Sequence, residues 1–159
     1  VYTRDLYGPQ RAVFYLLLSL AGGWMSDTGA YFVGCTIGKH KLSPEVSPKK
    51  TVEGAVGGVV VCTASFALFG WLYTLVMAHY GYVVQVNYVE LLLAAPVLSV
   101  IGMLGDLSAS VLKRQHNIKD YGRIMPGHGG IMDRFDSVLF VAPVLYTLVS
   151  FWPLVTLVA

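Results

Sequence analysis

Four apolar stretches, each long enough to cross a bilayer, constrain the fold of this 159-residue chain more than any other feature. A spanning helix needs roughly 20 predominantly apolar residues. The stretches run from Ala12 to Gly38, Gly54 to Ala78, Leu91 to Leu112 and Ser137 to Val158. The first holds a single charge, Asp27, the third a single charge, Asp106, and the other two none. The chain is 55% hydrophobic and 13% charged, with a mean hydropathy of +0.63. A soluble domain of this size has too little interior to hide so much apolar surface. The expected fold is therefore all-α: a polytopic integral membrane helix bundle with about four transmembrane helices, forming one membrane domain over residues 1–159.

Charge sets the orientation. The segment between the first two stretches carries Lys39, Lys41, Lys49 and Lys50, and that between the third and fourth carries Lys113, Arg114, Lys119, Arg123 and Arg134. Together they hold nine of the 11 basic residues. With four spans both segments fall on one side, which the positive-inside rule makes cytoplasmic. The turn from Tyr80 to Tyr88 has no basic residue, and its aromatics suit the opposite interface. The chain opens on Val1 with no secretory signal pattern and reads as part of a longer protein. Cys35 and Cys62 both lie in apolar stretches and read as buried packing thiols rather than a disulfide. Gly54 and Gly58 form a small-xxx-small pair that lets helix backbones approach closely.

Two acids lie where acids are costly. A carboxylate inside an apolar span needs a partner, so Asp27 and Asp106 are functional candidates. On the third span Asp106, Ser110 and Lys113 stand at i, i+4 and i+7, placing a carboxylate, a hydroxyl and an ammonium on one helical face. A snorkelling Lys113 over a solvated helix end is the bland alternative. In the first loop, Ser47-Pro48 reads as an N-cap and first-turn proline, predicting a helix that starts there. Lys49 and Lys50 beside that start suit an anion, or else contact anionic lipid headgroups. The second loop reads Gly127-His128-Gly129-Gly130-Ile131-Met132-Asp133-Arg134-Phe135-Asp136. Its glycines allow close backbone approach to a ligand, and Asp133 and Asp136 share a face at a helix start. Two such carboxylates suit a hard cation such as Mg²⁺, although acids also favour helix N-termini for dipole reasons.

These blocks together resemble the phosphatidate cytidylyltransferase (CDP-diacylglycerol synthase) family, in its C-terminal catalytic portion. The residues that carry the resemblance are Ser110-Val111-Leu112-Lys113-Arg114, Lys119-Asp120, Pro126-Gly127-His128-Gly129-Gly130 and Asp133-Arg134-Phe135-Asp136. Upstream, Asp27-Thr28-Gly29-Ala30-Tyr31-Phe32 and Ser47-Pro48-Lys49-Lys50-Thr51-Val52-Glu53-Gly54 also match. Met125 is a mild departure from the expected Ile, Leu or Phe. The resemblance implies cytidylyl transfer from CTP to phosphatidate in phospholipid biosynthesis at the cell (inner) membrane. Segments 39–53 and 113–136 would be the cytoplasmic active-site loops. Asp106, Asp133, Lys113, Arg134 and His128 are the implied catalytic group. Lys49, Lys50, Thr51, Glu53, Ser110, Arg114, Lys119, Asp120, Gly129 and Gly130 are the implied substrate contacts. The implied cofactor is Mg²⁺, with any second cation left open. Asp106 and Asp133 are its first-choice ligands, and Asp136 and Asp27 its additional ones. The implied partners are CTP, phosphatidate and membrane lipid, with a homodimer as one arrangement and no nucleic acid.

Two rivals share some of these features. A cation-coupled transporter also places acids within glycine-rich spans, yet has no need of nine basic residues and a His-Gly-Gly loop on one side. A sister lipid nucleotidyltransferase or polyprenol kinase would use another lipid. The orientation has its own test: Lys41→Cys and Arg123→Cys should resist an impermeant thiol reagent applied to intact cells. Ready labelling of either from outside would overturn it.

Overall fold

A computed structural model describes residues 2–116, 118, 121, 122 and 130–158. Four helices carry the chain: α1 (Tyr2–Ile37), α2 (Val52–His79), α3 (Tyr88–Gln115) and α4 (Met132–Phe151). Two short antiparallel ribbons flank them, β1 (Lys41–Ser43) with β2 (Ser47–Thr51), and β3 (Val83–Val86) with β4 (Val155–Val158). The protein is an all-α membrane-type bundle, as its apolar runs predict.

Among the described residues three helices, α2, α3 and α4, are long and apolar enough to cross a membrane. The first expected span is helical throughout, but Gly22-Gly23 and Ser26-Asp27-Thr28 dilute its apolar character. Its N-terminal end bends at Gly8, whose φ of 77° is open to glycine, just where the following proline disfavours helical geometry. The fourth span lies earlier than expected. It starts at Met132 and stops at Phe151, and the chain then turns through Pro153 to pair Val155–Val158 with Val86–Val83. What reads as one apolar run from Ser137 to Val158 is thus a helix followed by an edge strand.

The first loop also departs from expectation. Ser47 does not cap a helix; Ser47–Thr51 is a strand, and α2 begins at Val52 with Thr51 as its cap. The Thr51 hydroxyl accepts the Gly54 N–H at 3.1 Å. The thiols are both free, but only Cys62 is buried, while Cys35 is exposed.

Small residues set the helix spacing. An added Cβ at Gly58 would stand 2.8 Å from the Ser26 carbonyl oxygen, and one at Gly54 2.6 Å from that of Ala30. Across the same seam, Gly29 faces Val61 and Gly57 faces Val33. The packing role expected of Gly54 and Gly58 is therefore what joins α1 to α2. These contacts run antiparallel, as do Gly23 to Val138 between α1 and α4. Ser26 meets Ser99 of α3 in register, hydroxyl to hydroxyl at 2.7 Å. The C-terminal ends of α1 and α3 and the N-terminal ends of α2 and α4 consequently share one end of the bundle, where the basic hairpin, Lys113, Arg114 and Arg134 lie.

The apolar core fills the other half. Phe14, Leu18, Phe66, Leu91, Leu98 and Val141 are fully buried, and Phe14 packs against Phe69 and Tyr73 with ring centroids 5.5 and 4.6 Å away. Gly58→Val should lower the detergent melting midpoint by an amount equivalent to about 1–3 kcal/mol, because the clash is with backbone that no rotamer relieves. An unchanged midpoint would show that α1 and α2 do not pack this closely.

Candidate active site

The first loop folds as a hairpin because Glu53 ties its base. Oε2 of the carboxylate accepts the backbone N–H groups of Lys39 at 3.1 Å and His40 at 3.2 Å, and Oε1 pairs with His40 Nδ1 at 2.6 Å. The Val52 N–H donates to the His40 carbonyl at 2.9 Å, closing the knot. Thr51 fits only because Gly34 and Gly38 leave room, since a Cβ at Gly38 would lie 2.7 Å from its hydroxyl oxygen. Glu53 and Thr51, two of the expected substrate contacts, hold the hairpin in place.

The hairpin covers a cleft of about 570 Å³ against α1 and α3. Asp27 and Asp106 lie in its walls with Lys41, Lys49 and Lys50. Lys50 forms an ion pair with Asp106, both half-buried. Asp27 accepts the Ser137 hydroxyl at 2.7 Å, which links α1 to the start of α4. Asp27, Asp106 and Asp136 act on one another electrostatically, and Asp133 acts on Asp136.

Asp133 organises the second loop. Its Oδ1 accepts Lys113 Nζ at 2.9 Å, and its Oδ2 accepts the N–H groups of Tyr121 at 2.9 Å and Gly130 at 3.0 Å. The Lys113 ammonium lies 5.4 Å from the centre of the Tyr121 ring, and the Tyr121 hydroxyl donates to the Ala109 carbonyl at 3.2 Å. Lys113 therefore does not snorkel free; only 13% of its side chain is exposed. Gly130 serves a close approach, but to its own loop: a Cβ there would lie 2.8 Å from the Gly122 nitrogen. Ser110 is half-buried on α3, and Arg114 and Arg134 are exposed. The Arg134 carbonyl accepts Trp24 Nε1 at 3.0 Å, and the Trp24 and Phe135 rings stand 6.0 Å apart. His128, Gly129, Lys119 and Asp120 lie outside the described residues.

Asp106 and Asp133 come together less directly than expected, since each holds its own lysine. Among the described residues no three of His, Cys, Asp or Glu close around a common point. The donor chemistry nevertheless fits a hard divalent cation. Asp27, Asp106, Asp133 and Asp136 bring carboxylate oxygens near one another at this end of the bundle. Mg²⁺ commonly takes only one or two carboxylates, completing its shell with water and substrate phosphate.

Sequence reasoning found the acids and lysines but missed the residues that bracket them, Trp24, Tyr121 and Ser137. The ring and backbone contacts join residues as far as 110 positions apart and leave no local trace.

Comparison with known proteins agrees with this arrangement. Residues 6–152 match the cytidylyltransferase family. The chain is 47% identical over 146 residues to a phosphatidate cytidylyltransferase of Bacillus subtilis (strain 168), covering 92% of this chain and 49% of that protein. It is 45% identical over 131 residues to one of Staphylococcus haemolyticus (strain JCSC1435), covering 82% of this chain and 47% of that protein. It thus spans about half the length of the curated relatives it matches. With a match that runs through α1, both acidic and basic loops and α4, the chain belongs to the cytidylyltransferase family.

Proposed function

We propose that the protein containing this chain transfers a cytidylyl group from CTP to phosphatidate, giving CDP-diacylglycerol and pyrophosphate. The observation that carries this reading is the gathering of Asp27, Asp106, Asp133 and Asp136 with Lys50 and Lys113 at the basic end of an apolar bundle, in a chain of this family.

The chemistry joins two anions. A phosphate oxygen of the lipid attacks the α-phosphorus of CTP, the bond from that phosphorus to the bridging oxygen breaks, and pyrophosphate departs with the electron pair. The nucleophile is already anionic near neutral pH, so charge neutralisation matters more than a strong base. Lys50 and Lys113 are poised for it: each is held by a carboxylate and close to the others, so each can shift toward an arriving phosphate. Arg134 and Arg114 offer forked donors suited to phosphate oxygens. A divalent cation, when bound, would supply electrostatic stabilisation of the phosphates. Asp106, Asp27 and Asp136 would hold it, with Asp133 joining where Lys113 turns to substrate. We assign His128 and Gly129 to the nucleotide phosphates on the strength of the family pattern. We place the reaction at the cytoplasmic face of the cell membrane, where soluble nucleotide meets lipid. The transporter reading finds no support in a cytidylyltransferase match.

Membranes containing the protein, given CTP labelled at the α-phosphate with phosphatidate, should turn the label lipid-soluble. Asp106→Asn and Asp133→Asn should each lower that turnover by at least ~100-fold, as loss of an electrostatic term of about 3 kcal/mol implies. The detergent melting midpoint of each variant is measured alongside, so that lost turnover is read on folded protein. Absence of labelled lipid, or normal turnover by either variant, would overturn the reading.

A further inference from the structure

Three parts of Tyr121 engage the charged end of the bundle. Just after α3 the chain reverses, with the Ile118 N–H donating to the Lys113 carbonyl at 3.0 Å, and this brings Tyr121 back alongside the helix it has left. Its N–H donates to Asp133 Oδ2 at 2.9 Å, and its hydroxyl donates to the Ala109 carbonyl at 3.2 Å. The Lys113 ammonium stands over its ring, 5.4 Å from the centre. Ala109 lies one helical turn before Lys113, so the ring is fastened to the same helix as the lysine it meets.

The two partners of the ammonium therefore belong to different elements. Asp133 comes from α4, whereas the ring is anchored on α3, which carries Lys113 itself. During transfer Lys113 has to leave Asp133 for an arriving phosphate. A lysine freed from its carboxylate regains the rotamers of a long side chain and must be ordered again on the phosphate. The ring removes much of that cost by keeping hold of the ammonium. An aromatic face attracts an ammonium more strongly where water is scarce, and only 13% of the Lys113 side chain is exposed. Being uncharged, the ring holds the ammonium without neutralising it, which a second carboxylate would do.

We propose that Tyr121 is a positioning residue for Lys113: the ammonium pivots on its ring as it passes from Asp133 to a substrate phosphate. This role rests on the cytidylyl-transfer reading.

Ring fluorination tests the contact at nearly constant shape. The full-length protein is made as Tyr121→Phe, and with phenylalanine carrying one, two or three ring fluorines at the same position. Each fluorine withdraws electron density from the ring face and weakens its hold on a cation. With α-labelled CTP and phosphatidate, kcat/KM for CTP should fall stepwise, about tenfold from the plain to the trifluorinated ring. In detergent the same series should lower the melting midpoint of protein that keeps Lys113. It should leave the midpoint level in a Lys113→Gln background, where no ammonium faces the ring. A level kcat/KM across the series would overturn the role. So would a fall in midpoint that persists in Lys113→Gln, since the ring would then act only as packing. The unmodified protein separates the two ideas. No lipid-soluble label from it defeats cytidylyl transfer and the role together, whereas product with a level series defeats only the role of Tyr121.

Discussion

Everything at the working end of this bundle depends on pairing charges that an apolar scaffold would otherwise expel. An unpaired carboxylate or ammonium there costs several kcal/mol. The protein answers with cross-element pairs: Lys50 of β2 with Asp106 of α3, Lys113 of α3 with Asp133 of α4, and Ser137 of α4 with Asp27 of α1. Each pair also fastens two elements that the sequence keeps far apart. Two of these contacts neutralise charge, the third gives a carboxylate a hydrogen bond, and all three hold the tertiary structure together.

The pairs work because the helices come close enough for short side chains to meet. Gly29, Gly54, Gly57 and Gly58 bring α1 and α2 into contact, and the Ser26 and Ser99 hydroxyls join α1 to α3 between the acidic end and the aromatic core. Below that level the packing is apolar and carries no chemistry. Above it, two loops are pinned by carboxylates rather than by a core of their own, Glu53 under the hairpin and Asp133 under the second loop.

How much of this the sequence showed depended on whether the signal was local. Apolar length announced the spans, isolation in apolar context announced Asp27 and Asp106, and four-residue spacing announced the Gly54–Gly58 seam. The hairpin was not legible, because Ser47-Pro48 looks like a helix start and Lys41–Ser43 has little strand character. Its geometry comes from Glu53 reaching back 13 and 14 residues. The strand at Val155–Val158 was hidden by its own hydrophobicity, although Trp152-Pro153 marks the break. The close approach of Gly130 to Gly122 had no local signal either. Pairings such as Lys113 with Asp133 followed from neither spacing nor composition, since the helix end and the loop had first to fold onto each other.

The pairing of Lys113 with Asp133 is the place to test whether these charges hold the site together. Their side chains are 13% and 11% exposed, the most buried of the ion pairs among the described residues. Thermal unfolding in detergent of Lys113→Gln, Asp133→Asn and the double variant gives their coupling. If the pair stands as described, each single change leaves a partner uncompensated, and the double variant is more stable than the sum of the singles predicts by about 0.5–3 kcal/mol. Strict additivity, with coupling below about 0.3 kcal/mol, would mean that the two side chains do not meet and that something else positions the second loop.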